Sequence, residues 1–300
     1  MPAAAVRPQL TSVGSYNVDY YIVVDRLPMP GETLKARELY VGHGGKGSNQ
    51  AVSAARLGAS ARLIAAVGND EEGREALRFL SSEGVDASGV SVKPARTGRA
   101  YIIVGGGQNM IVVDPGANSM LSEEDVLRSL PRGGALMASL EVPLSAVRAA
   151  LEAFNGVRVL NPAPATPEAR DLARLADVIT PNEVEALQLT GASSPAEAAE
   201  RLLELVPAVV ITLGERGALV AERGRGKAII EAPRVEAVDP TGAGDAFNAA
   251  LAHSLACGLD LVEATSVAVR AASYKVTRKG ALGLRASELL SLGLEIPCSR

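Results

Sequence analysis

The chain has 300 residues, 47% of them hydrophobic, with a mean hydropathy of +0.16, enough for one large α/β domain or two smaller ones with a sizeable core. Aromatics supply only 3% and Trp is absent, so that core must be mainly Ala, Val, Leu and Ile. A net charge of −4 and an isoelectric point near 5.5, with no basic stripe, argue against nucleic acid as a partner, and anionic substrates would be met by local Lys, Arg or helix termini.

Residues 1–10 contain Pro2, Arg7 and Pro8 and no apolar stretch of signal-peptide length. Asn17 and Asp19, one residue apart on a strand, would point to the same face and suit recognition of neighbouring hydroxyls, or else mark an exposed edge. Residues 16–41 are strand-rich. Gly42-His43-Gly44-Gly45-Lys46-Gly47 formally matches a dinucleotide fingerprint, but it lies deep in this β-rich stretch instead of after a first βαβ strand. A P-loop fails as well, because Gly47 follows Lys46. Ser48 and Asn49 also suit the start of a helix running to Leu57.

Residues 61–67 read as a buried strand and 70–82 as a helix with Glu71 and Glu72 near its positive end. Residues 97–114 read as a β-hairpin, with 100–104 and 110–113 flanking Gly105-Gly106-Gly107-Gln108-Asn109. Further on, 135–140 is strand-like and 144–154 helix-like. The short apolar runs 157–160, 178–180 and 208–213 fit interior parallel strands. Ser194-Pro195-Ala196-Glu197 has the residues of a helix start: capping Ser, Pro in the first turn and Glu at the third position. This alternation predicts an α/β fold, a doubly wound, mostly parallel sheet with helices on both faces. The extra strands at about 16–41 and 97–114 form either a small second sheet over the site or surface decoration. No internal repeat or interdomain linker interrupts the chain, so a single domain over 1–300 is expected. His43 and His253 have no evident metal partner. Cys257, in an apolar helix, and Cys298, in the tail, make neither a disulfide framework nor a zinc site, which suits a reducing cytosol. No apolar run could span a bilayer, so a soluble, cytoplasmic protein is expected.

The most telling segment is Asp239-Pro240-Thr241-Gly242-Ala243-Gly244-Asp245-Ala246-Phe247-Asn248. A β-like run at 234–238 breaks at Pro240, a small-residue turn follows, and a helix opens at Asp245. Such a turn presents backbone N–H groups at a helix N-terminus, where the peptide dipoles favour an anion. A carboxylate beside bound phosphate there could take a proton from an attacking hydroxyl. The local pattern fits equally a capping Asp after a glycine turn.

This segment and Gly44-Gly45-Lys46-Gly47-Ser48-Asn49-Gln50-Ala51 resemble the two signatures of the ribokinase family of sugar kinases. Gly14-Ser15-Tyr16-Asn17-Val18-Asp19, Asn161-Pro162-Ala163-Pro164, Thr180-Pro181-Asn182-Glu183-Val184-Glu185, Thr212-Leu213-Gly214-Glu215-Arg216-Gly217 and Val276-Thr277-Arg278-Lys279-Gly280-Ala281 fall in the family's order at similar spacing, over roughly residues 10–283.

The resemblance implies a ribokinase-like fold whose β-sheet lid often serves in homodimer contact, and ATP-dependent phosphorylation of D-ribose at its 5-hydroxyl. Asp245 would be the general base, and the Gly242, Ala243, Gly244 and Asp245 amides the anion hole. Asn17, Asp19, Gly44, Gly45, Lys46, Asn49 and Glu141 would surround the sugar, with lid contacts from Ala100, Ile102 and Val113. Asn182 would lie near the ATP phosphates, Thr212, Gly214, Gly217 and Gly244 beside the nucleotide, and Glu185 at Mg2+ through water. Val269 stands where the family commonly has an adenine-contacting Asn or His, which leaves base selectivity open. Potassium would be held by the Asp239 carboxylate and the carbonyls of Thr241, Lys275, Arg278 and Gly280. Leu284 replaces a frequent Ser there, so potassium is expected still to stimulate but to bind more weakly than in a relative with Ser. Another small sugar, as in fructokinase-like relatives, or a nucleoside is the nearest alternative acceptor. A non-catalytic sugar sensor is the alternative from another class, disfavoured by an intact Asp245 and its turn.

Overall fold

The computed structural model describes residues 7–298; the reading of the N-terminal segment therefore lies, for residues 1–6, outside the described residues. A nine-stranded sheet forms the body. Its strands in chain order are β1 (Gln9–Val13), β4 (Ser60–Gly68), β5 (Asp86–Lys93), β8 (Ala135–Ser139), β9 (Val157–Asn161), β10 (Val178–Ile179), β11 (Ala208–Thr212), β12 (Ala218–Glu222) and β13 (Gly226–Ile230). They lie in the order β13-β12-β11-β10-β9-β8-β1-β4-β5, parallel from β11 to β5, with β12 and β13 added antiparallel at one edge. That antiparallel edge was not legible in the sequence reading.

Both faces of the sheet are covered. In β8, Leu136 and Ala138 pack into one apolar layer while Met137 packs into the other, so all five residues are buried and the strand reads as a continuous apolar run. One layer is closed by α4 (Leu144–Ala153), α6 (Glu183–Thr190) and α7 (Pro195–Leu203). The other is closed by α1 (Lys46–Arg56), α8 (Ala243–Ala256) and α9 (Leu261–Lys275). The remaining helices are α2 (Glu71–Ser82), α3 (Glu123–Ser129), α5 (Ala169–Ala173) and α10 (Ala286–Ser291). Ser194 caps α7 by accepting the Glu197 N–H, with Pro195 in the first turn as expected. Among the described residues no helix is long and apolar enough to cross a membrane.

A separate four-stranded sheet is built from β2 (Asn17–Val23), β3 (Glu38–Gly44), β6 (Arg99–Gly105) and β7 (Gln108–Asp114), in the order β3-β2-β6-β7. Its strands come from the two stretches that break the βα rhythm. The β6–β7 hairpin turns tightly through Gly106 and Gly107, both at positive φ, where a five-residue loop was expected.

Three other expectations are corrected. Residues 234–238 form no strand; the Val238 and Asp239 N–H groups instead both donate to the Val276 carbonyl, at 2.7 and 2.9 Å. Helix α8 opens at Ala243, two residues before Asp245, with Gly242 as its cap, and α1 opens at Lys46, before Ser48. Finally, Cys257, just past the end of α8, and Cys298 are joined as a disulfide that packs the tail back on this helix, where two independent thiols were expected.

Candidate active site

The parallel strands end on one side of the sheet, and the chemistry-bearing residues leave from those ends, where open α/β sheets bind ligands. Gly14-Ser15 follows β1, Glu141 follows β8, Asn161 ends β9, Thr180 follows β10 and Thr212 ends β11. Above them stands the N-terminus of α8. Its first residues have helical geometry but no preceding turn, so the N–H groups of Gly244 and Asp245 find no acceptor within the helix. The Ala243 N–H does not belong to this set, because it donates to the Pro240 carbonyl at 3.1 Å. An anion placed at this turn would be met by the N–H groups of Gly242, Gly244 and Asp245 and not by that of Ala243. Gly242 sits at φ 73°, and a side chain there would overlap the Ala281 carbonyl.

Asp245 is only 6% exposed. Asn49 Nδ2 donates to its Oδ2 at 3.0 Å and Gln50 Nε2 to its Oδ1 at 3.3 Å, so both carboxylate oxygens are aimed from α1. Burial raises its pKa against the opposing pull of Lys46 and the two amides, and Glu141 raises it further. A carboxylate so placed has a higher proton affinity than a solvated Asp, as a general base needs.

Gln50 belongs to a buried polar chain. Its Nε2 also lies 3.5 Å from Asn161 Oδ1; Asn161 Nδ2 donates to the Thr180 carbonyl (3.1 Å); and Thr180 Oγ1 donates to Asn248 Oδ1 (2.5 Å). Asn248 Nδ2 closes the chain on the Gly244 carbonyl at 2.8 Å. The motifs containing these residues were visible in the sequence, but their linkage was not, because it joins α1, two strand ends and α8. These groups set the orientation of the carboxylate and of the turn beside it.

Beside Asp245 is a cluster of buried polar side chains. Asn17, Asp19 and Asn49 are all buried there, and Lys46 is half-buried. Asn17 Oδ1 accepts from Asn118 Nδ2 at 2.9 Å, and Asn118 also bonds both backbone groups of Tyr16. Asn118 therefore fixes the start of β2, a role the sequence reading missed. Gly44 pairs with Asn17 across the ladder, and any side chain on it would occupy the space of the Asp19 carboxylate. Burial drives the Asp19 pKa up to about 7; the Tyr21 hydroxyl opposes this, while the charges of Glu141 and Asp245 add to it. Glu141 accepts from Ser15 Oγ and, at 3.1 Å, from the Lys46 N–H at the start of α1, beside Gly45. Burial works against the Lys46 charge, but Asp245, Glu141 and Glu185 outweigh it and hold its pKa up. Asn49 Oδ1 is buried without a protein partner, an acceptor left for a ligand hydroxyl. Ala100 and Ile102 are buried on the same sheet face as Asp19 and Tyr21, and Val113, opposite Ala100, shares that face but is half exposed.

On the other side of the α8 N-terminus a cleft of about 760 Å³ is lined by Thr212, Gly214, Gly217, Ala243, Gly244 and Val269, among others. Five of the six expected nucleotide-side residues line it. Its deeper wall is apolar, from Val235, Phe247, Val269 and Ala272. Asn182, the sixth, is not in this wall. It caps α6, its Oδ1 accepting the Glu185 N–H at 2.8 Å while Glu185 Oε2 accepts the Asn182 N–H at 2.8 Å, and it bridges Thr212 in register. Burial raises the Glu185 pKa, the Asn182 N–H and Lys46 opposing it. Among the described residues no group of three acidic, His or Cys side chains could hold a metal alone. A single carboxylate such as Glu185 suits a magnesium ion that would arrive with nucleotide phosphates and keep most of its waters.

Three of the five expected potassium ligands are engaged within the chain. Both Asp239 carboxylate oxygens accept backbone N–H groups, from Thr241 at 2.9 Å and Gly280 at 2.8 Å. The Lys275 carbonyl accepts the Arg278 N–H at 2.9 Å, and the Lys275 ammonium donates to the Thr241 carbonyl. A free ion does not fit where that ammonium lies. The two histidines are structural: His43 stacks on Phe79 and bonds the Tyr16 hydroxyl, and His253 bonds the Pro297 carbonyl.

The family model for pfkB family carbohydrate kinases matches residues 7–286. A ribokinase of Haemophilus influenzae is 40% identical over 290 residues, covering 92% of this chain and 94% of its own. A deoxyribokinase of Salmonella typhi is 37% identical over 285 residues, covering 89% and 92%. The structure of Arabidopsis thaliana ribokinase complexed with ribose and ATP matches with a TM-score of 0.83 at 30% identity, covering 96% of this chain and 99% of that one. With its glycine turn, buried Asp245 and adjoining cleft in place, this chain belongs to the pfkB family of carbohydrate kinases.

Proposed function

We propose that the chain transfers the γ-phosphoryl group of ATP to the 5-hydroxyl of D-ribose, giving ribose 5-phosphate. The observation that carries this reading is the buried Asp245 at the N-terminus of α8, between the cluster of buried polar side chains and the nucleotide cleft. The sugar lies against Asn17, Asp19, Gly44, Gly45, Lys46, Asn49 and Glu141, beneath the small sheet, with its reacting hydroxyl toward Asp245. ATP fills the cleft, its adenine against the apolar wall and its phosphates toward Gly244 and Asn182. Asp245 accepts the hydroxyl proton as the oxygen attacks the γ-phosphorus, and the Gly242, Gly244 and Asp245 amides stabilise the charge on the transferring group. Glu185 would help hold magnesium through water, and the metal would supply neutralisation of charge on the phosphate oxygens. The pair Asn17/Asp19 with Lys46 favours a sugar rich in adjacent hydroxyls over a nucleoside, because a site built for hydroxyls rejects analogues that leave its polar groups unpaired.

Phosphorylation of ribose, 2-deoxyribose, fructose and adenosine, compared by kcat/KM in a coupled ATP assay, tests the reading. Ribose is expected to lead; preference for another acceptor overturns the ribose assignment, and no turnover with any overturns the kinase one.

The same reading assigns the protein to the cytoplasm, where ATP is available as donor and where Cys257 and Cys298 would be kept as neighbouring thiols. It also assigns a homodimer through the small sheet, whose edge strands leave Leu39, Val41, Met110 and Val112 exposed on the face turned away from Asp19.

A further inference from the structure

Lys275 is the last residue of α9 and is fully buried. A buried ammonium is expensive unless it is paired, yet no carboxylate lies within ion-pair distance of it among the described ion pairs, and it reaches main-chain oxygens instead. Its Nζ donates to the Asp239 carbonyl at 3.0 Å and to the Thr241 carbonyl. These oxygens do not belong to α9, so the contact is more than a cation resting on its own helix end. They flank Pro240 at the entrance to the turn that continues through Gly242 to Asp245. The segment is tied from the other side as well: Val276 O accepts two of its N–H groups, and Gly280 N–H bonds the Asp239 carboxylate.

Two carbonyl oxygens converging on one buried point repel each other unless a positive group lies between them. In relatives of the kind the sequence resembles, that group would be a free monovalent ion. Here a primary ammonium, singly charged and able to donate three hydrogen bonds, is already there, delivered by the chain. We propose that Lys275 is a tethered cation that takes the part of potassium, holding the Asp239 and Thr241 carbonyls so that the Gly242–Asp245 amides stay aimed, and that turnover therefore does not depend on a monovalent ion. Lys275 is a positioning residue: it acts on the phosphoryl group only through the turn. The inference rests on the kinase reading for its activity arm, and a binding arm stands apart from it.

The test uses the full chain with ribose, ATP and magnesium, titrated with KCl against tetramethylammonium chloride at constant ionic strength. The wild type is expected to show the same kcat within about twofold across the series. Lys275→Ala, which removes the ammonium and leaves room for an ion, is expected to lose roughly tenfold or more in kcat in tetramethylammonium, as misaimed donors do, with little change in the KM for ribose. Potassium or ammonium should restore it saturably. A role in packing alone predicts no such cation rescue. In parallel, ²⁰⁵Tl⁺ NMR and the melting temperature in potassium against tetramethylammonium should show a bound ion in Lys275→Ala and none in the wild type. A wild type that requires potassium or binds thallium, or a Lys275→Ala enzyme fully active without potassium, overturns the proposal. Lys275→Met, nearly equal in length, replaces Lys275→Ala if the latter does not fold; it should lower kcat without cation rescue, and full activity in it is equally fatal. If no acceptor is phosphorylated by the wild type, the kinase reading fails while the thallium and melting data still decide the place of Lys275.

Discussion

Replacing Asp245 by Asn separates the chemistry of this carboxylate from its architecture. The side chain keeps its shape but can no longer take a proton. Positioned general bases contribute about 10²–10⁴-fold, which at 1.36 kcal/mol per tenfold is roughly 2.7–5.4 kcal/mol of transition-state free energy. For stability, two opposing effects follow from the geometry. Both Asp245 oxygens accept amide N–H groups, from Asn49 and Gln50, so an introduced NH2 must face one of those donors and leave it unpaired, a loss of about 1–3 kcal/mol. Against this, burial disfavours the Asp245 charge, and the neutral amide removes that penalty. The expected outcome is a fold stable to within a few degrees of wild type, ribose and ATP binding close to normal by calorimetry, and kcat down by roughly 10²–10⁴. Turnover within a few-fold of wild type would refute Asp245 as the base. A large loss of melting temperature would instead show that the carboxylate is chiefly structural.

The buried polar chain beneath Asp245 predicts a second, subtler effect. A base works deprotonated, and the Asp245 pKa is raised, so if Asp245 is that base kcat should begin to fall on acidification at a higher pH than an ordinary Asp would give; the Gln50 amide lowers that pKa. Gln50→Leu should therefore shift the acid limb of kcat to still higher pH and reduce its plateau roughly 10–100-fold, the value of about 1.5–3 kcal/mol for a hydrogen bond to a charged group; an unmoved limb contradicts the orienting role. For the small sheet, Val112→Glu should convert a dimer to a monomer in sedimentation velocity, and a wild type already monomeric at micromolar concentration refutes the assigned interface.

The βα alternation was legible because the parallel strands are buried on both faces and read as short continuous apolar runs, as in β4, β9 and β11. Boundaries failed where tertiary contacts replaced a ladder. Residues 234–238 have strand-like composition, but their partner is the end of α9 and no strand. The residues gathered around Asp245 were legible through motif resemblance, since small residues and a carboxylate at a helix start also suit plain capping. What stayed hidden were links between distant segments: Asn118 holding Asn17 across 101 residues, Gln50 on Asp245 across 195, and the Lys275 ammonium, whose direction no local pattern specifies. The pairing of Cys257 with Cys298 was hidden for the same reason, since it needs the tail to return to the end of α8.

Asn17 and Asp19 do not sit on the body of the sheet that carries Asp245; they lie on β2, a strand of the small sheet itself. Three of the seven residues proposed to surround the acceptor, Asn17, Asp19 and Gly44, thus ride on the sheet proposed to cover it. On the proposed reading, docking the acceptor and covering it become one event, which would favour capture of the sugar before the nucleotide is committed.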